Sequence, residues 1–94
     1  MTHFEVIVQP RPGVRDPQAD AISAAMQDSG FDGCSAQSVG RYLLLAVRES
    51  DPEQATATAR ALCEGMLVNP LLETYLLRAV PKTADSAVYR EGQP

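Results

Sequence analysis

The chain has 94 residues, 45% of them hydrophobic, with 8 basic and 12 acidic side chains and a net charge of −4. That length supports one domain with a small core, for which an obligate partner is unsurprising. The basic residues are scattered, which excludes the basic face that phosphate backbones or anionic lipid require, and no apolar run is long enough to span a bilayer.

The N-terminus lacks a basic head followed by an apolar stretch, so no signal peptide is expected. Cys34 and Cys63 do not make a disulfide framework. The expectation is a reduced, cytoplasmic protein.

Residues 3–8 alternate, with Phe4, Val6 and Val8 on one side and His3, Glu5 and Ile7 on the other, which predicts a strand. Pro10, Pro12 and Gly13 end it in a turn. Asp16-Pro17 reads as an N-cap with proline at the first helical position. Ile22, Ala25 and Met26 then share one helical face, and Gly30 stops the helix after Ser29. Cys34 to Val39 read as a weak strand, Gly40-Arg41 as a hairpin turn, and Tyr42 to Val47 as a strong strand. Asp51 and Gln54 have capping-box spacing before a second helix whose apolar face carries Ala55, Ala59, Leu62 and Met66. Asn69-Pro70 breaks that helix, and Glu73 to Val80 form a last strand.

The order β-α-β-β-α-β predicts an α+β, ferredoxin-like domain over residues 1–80, an antiparallel sheet with two helices on one face. Residues 81–94 are polar and aperiodic and predict a flexible tail. The sheet face away from the helices is expected to carry Ile7, Tyr42, Leu44, Ala46 and one of Leu76 and Leu77. Such an apolar surface predicts oligomerisation through the exposed sheet.

No catalytic constellation is legible. His3 has no second ligand or nucleophile at useful spacing. A reactive cysteine needs a base, and nothing places His3 beside Cys34 or Cys63. Asp16 and Asp51 are accounted for as helix caps. The loop Gln9 to Arg15 precedes a helix N-terminus, where anions can bind, yet Pro10 and Pro12 donate no N–H. An acylphosphatase-type site would also need a strand asparagine, and the sole asparagine is Asn69. A rigid docking surface remains, since prolines lower the ordering cost of binding and arginine favours interfaces.

The run Pro10-Arg11-Pro12-Gly13-Val14-Arg15-Asp16-Pro17-Gln18 resembles the opening signature of the PurS family, the small subunit of phosphoribosylformylglycinamidine synthase. Gly30-Phe31, Val39-Gly40-Arg41-Tyr42 and Leu67-Val68-Asn69-Pro70-Leu71-Leu72-Glu73-Thr74-Tyr75 continue the resemblance in register over residues 3–80. Ser38, Arg41 and Ala19 depart from the usual arginine, lysine and glycine. The resemblance implies a subunit without catalytic residues or cofactor of its own, a homodimer or tetramer. It would bridge a glutaminase subunit and a large synthetase subunit that uses ATP and Mg²⁺ in purine synthesis, and assist ammonia transfer. Turn positions Arg11, Gly13, Arg15, Gly40, Arg41, Asn69 and Pro70 are the expected partner contacts. A second reading is an ACT-type ligand-binding regulator, which Arg11-Pro12-Gly13 fits and Asp16-Pro17 opposes.

Overall fold

The computed structural model describes residues 1–81. Strand β1 (Thr2–Pro10) lies at the centre of a three-stranded sheet, with β2 (Arg41–Val47) on one side and β3 (Glu73–Val80) on the other, both antiparallel to it. Helix α1 (Pro17–Asp28) connects β1 to the approach to β2. Helix α2 (Pro52–Leu62) continues into a π-helical turn, Cys63–Leu67. The predicted tail lies outside the described residues, apart from Pro81.

The alternation in β1 sets the core. Phe4, Val6 and Val8 all face α2 and are fully buried. Their cross-strand partners Leu45 and Leu43 on β2, and Leu77 and Tyr75 on β3, extend the same face. Phe4 and Val47 pack on Ala55 and Ala59 of α2, while Val6 and Val8 pack on Cys63 and Val68. Small residues on α2 let the helix approach the sheet closely.

Met66, expected on the inner face of the second helix, points to solvent instead. The cause is the π turn: Val68 N–H donates to the Cys63 carbonyl five residues back at 3.0 Å. The added residue rotates the inward face, so Cys63 and Val68 fill the core. The Asp51–Gln54 capping box is also replaced. Asp51 Oδ1 accepts from Glu53 N–H at 3.4 Å, and the Asp51 N–H is taken by Glu49 Oε2 at 3.0 Å.

The predicted strand Cys34–Val39 does not form, and Gly40-Arg41 is no hairpin turn; Gly40 directly precedes β2. Ser35, Gln37 and Ser38 give this segment little apolar surface to place on a sheet. It is tied to α1 instead. Ser23 Oγ accepts from Ala36 N–H at 2.8 Å and donates back to the Ala36 carbonyl at 3.3 Å. Asp16 accepts from Ala19 N–H at 3.0 Å with one oxygen, capping α1, and from Val39 N–H at 2.8 Å with the other. Those two bonds hold its carboxyl below the ordinary carboxylate range, the Val39 bond most of all.

Helix α1 stops as its sequence dictates. Gly30 takes φ +93°, Gly30 N–H reaches the Gln27 carbonyl, and Phe31 N–H reaches that of Met26. Ala19 is the buried residue of this helix, while Ile22 and Ala25 stay exposed, so α2 supplies the packed layer over the sheet.

The opposite sheet face carries Ile7, Tyr42, Leu44, Ala46 and Leu76, as the alternation predicts. At its centre sits Glu5, only 7% exposed, whose carboxylate meets Tyr42 Oη and the Arg78 guanidinium.

Candidate functional site

Most of the turn residues singled out from the sequence meet at one end of the sheet, where β1 ends and β3 begins. The turn Arg11–Val14 closes with Val14 N–H on the Arg11 carbonyl at 3.1 Å, and Gly13 supplies the φ of +85° it needs. Arg11 then binds the second loop twice. Its backbone N–H donates to the Leu72 carbonyl and its Nε to the Pro70 carbonyl, both at 2.9 Å.

The second loop, Leu67 to Glu73, is organised by Asn69. Its side-chain oxygen accepts from Leu71 N–H at 3.1 Å, and its carbonyl accepts from Leu72 N–H at 3.1 Å and Glu73 N–H at 2.7 Å. Its own N–H donates to Glu73 Oε1 at 2.8 Å. The same carboxylate oxygen accepts from Arg41 Nη2 at 2.9 Å, and that nitrogen also donates to the Leu67 carbonyl at 2.9 Å. The Asn69 N–H, with the Arg41 guanidinium adding to it, holds the Glu73 carboxyl below its ordinary range.

Gly40 is required at its position. A Cβ there would lie 2.1 Å from the Val8 carbonyl oxygen, so no other residue lets the chain enter β2 along this path. Arg15 stands apart from the cluster, with both it and Asp20 exposed and 3.9 Å between them.

Two hollows flank the Pro70–Glu73 segment. One, of ≈ 140 Å³, is lined by Arg11, Glu64, Val68, Pro70, Glu73 and Tyr75. In it Tyr75 Oη donates to Glu64 Oε2 at 2.8 Å, and this bond to a carboxylate pushes the phenol up from its usual range. The other, of ≈ 330 Å³, has Pro10, Val14, Pro17, Val39 and Leu72 among its lining residues.

At this end of the sheet Arg11, Arg41, Asn69 and Glu73 bond to one another and to backbone, tying the two loops together. His3 lies at the opposite end of β1, beside Ala46 and Val80. Cys63 is sealed in the core, and burial raises its thiol pKa. Among the described residues no three His, Cys, Asp or Glu side chains converge on a metal position.

Sequence reasoning did not single out Glu64, Glu73 and Tyr75 as site residues, nor Leu71 and Leu72. The spacing of Asn69 and Glu73 carried a signal. An asparagine turn four residues before a carboxylate can close on itself, as it does here.

Comparison with known proteins agrees with this geometry. The family model for PurS, phosphoribosylformylglycinamidine (FGAM) synthase, matches residues 3–81. The FGAM synthase subunit PurS of Synechocystis sp. is 32% identical over 73 residues, covering 78% of this chain and 73% of the relative. The PurS subunit of Thermotoga maritima is 31% identical over 75 residues, covering 80% and 92%. Among solved structures, B. subtilis PurS superposes with a TM-score of 0.76 at 25% identity, covering 86% of this chain and all of the other (100%). A chain in the structure of PurLQS from Thermotoga maritima gives a TM-score of 0.75 at 29% identity, covering 84% and 96%.

The three-stranded α+β fold with its joined turns is therefore that of a small subunit of a multisubunit ligase. The chain belongs to the PurS family, the FGAM synthase subunit of purine biosynthesis. With that match over most of the chain, the ACT-type reading falls away. No helix among the described residues is long and apolar enough to cross a membrane.

Proposed function

We propose that this chain is a non-catalytic bridging subunit. It links a glutaminase subunit to a large ATP-dependent synthetase subunit and assists the passage of ammonia between them. ATP and Mg²⁺ act on the large subunit, and this chain holds neither. Assembly takes place in the cytoplasm, with this chain as a homodimer or tetramer joined through the sheet face that carries Ile7, Tyr42 and Leu76.

The observation that carries the reading is the locked end of the sheet. Arg11, Asn69, Arg41 and Glu73 fix two family-specific loops to one another with bonds of 2.7–3.1 Å. A surface ordered before it meets a partner loses little entropy on binding. Arg11, Gly13, Gly40, Arg41, Asn69 and Pro70 form or support that surface, and Arg15 flanks it. Bridging matters physically because ammonia released into water is protonated and lost as a nucleophile. Two active sites held in register shield it.

Reconstitution tests the reading. The chain is mixed with separately purified synthetase and glutaminase, and amidine formation is measured with glutamine and with ammonium. Glutamine-dependent turnover that requires this chain, with ammonium-dependent turnover less affected, is the expected result. Equal turnover with and without the chain, and no ternary complex, would remove the bridging role.

A further inference from the structure

We draw no further inference here: the strongest candidate, the apolar stripe of helix α1 on which Ile22 and Ala25 stand exposed beside the half-buried Met26, with exposed Phe31 just beyond the helix end, carries nothing because nothing in the structure shows what covers it.

Discussion

The Tyr42 hydroxyl donates to the Glu5 carboxylate at 2.7 Å, across two neighbouring strands, while Arg78 reaches the same carboxylate from the third. A nearly buried acid thus sits in the middle of a largely apolar sheet face, satisfied from both sides. Removing one partner leaves the other charge uncompensated. Arg78→Met is expected to destabilise the fold by about 2 kcal/mol, and Tyr42→Phe by about 1 kcal/mol, in urea unfolding at fixed chain concentration. Combining Arg78→Met with Glu5→Leu should recover most of the loss, because a fully apolar replacement leaves nothing unpaired. A double variant weaker than Arg78→Met alone would contradict this.

Acid should weaken the protein through two carboxylates. Asp16 and Glu73 both have folded pKa values below the ordinary range. Their contribution is complete above the unfolded value and disappears as pH falls through the lower, folded one. Asp16→Asn and Glu73→Gln should therefore be less stable than wild type near neutrality and converge on it under acid. Urea midpoints measured from neutral pH downward check this, and a gap that widens on acidification would show the sign to be wrong.

Three glycines make a graded set. Gly40→Ala forces a Cβ onto the Val8 carbonyl and is expected to cost about 3 kcal/mol. Gly13→Ala has open space but must hold φ +85°, a cost of about 1 kcal/mol. Gly33→Ala meets neither obstacle and should be neutral or slightly stabilising. Thermal melts of the three variants should rank in that order.

The two thiols should separate kinetically. Cys34 is exposed and Cys63 is buried with a raised pKa. A disulfide reagent in native buffer should label Cys34 promptly and Cys63 only with unfolding. Cys63→Ala should cost about 1–2 kcal/mol through the space left beside Val6, Val8 and Val68.

Much of the fold was legible because its residues obey strong local rules. Phe4, Val6 and Val8 alternate, Asp16 and Asp51 precede prolines, and Gly30 ends a helix. Where those rules compete, the reading fails. Cys34–Val39 has only enough pattern for a weak strand, and its polar bonds to Ser23 and Asp16 take precedence over a sheet ladder. Met66 follows a 3.6-residue period that the π turn breaks. At the end of the sheet where the two loops join, Arg11, Gly13, Gly40, Arg41, Asn69 and Pro70 stood out as turn residues. Glu73 and Tyr75 lay within the family motif, but their bonds were not legible, because they depend on Arg41 and Glu64, which lie far away or across a turn in sequence.

The shared carboxylate of Asp16 gives helix α1 a particular place in the dynamics of the molecule. One side chain holds both the first turn of the helix and the residue before Gly40, and Ser23, farther along the same helix, adds a second tie. The helix cannot swing outward without releasing residues 36–39. Local opening of the two is therefore expected to be a single event, in which amide hydrogens at Ala19, Ala36 and Val39 exchange with solvent on one common timescale, faster than those of the central Phe4–Val8 strand, as native-state hydrogen exchange would show.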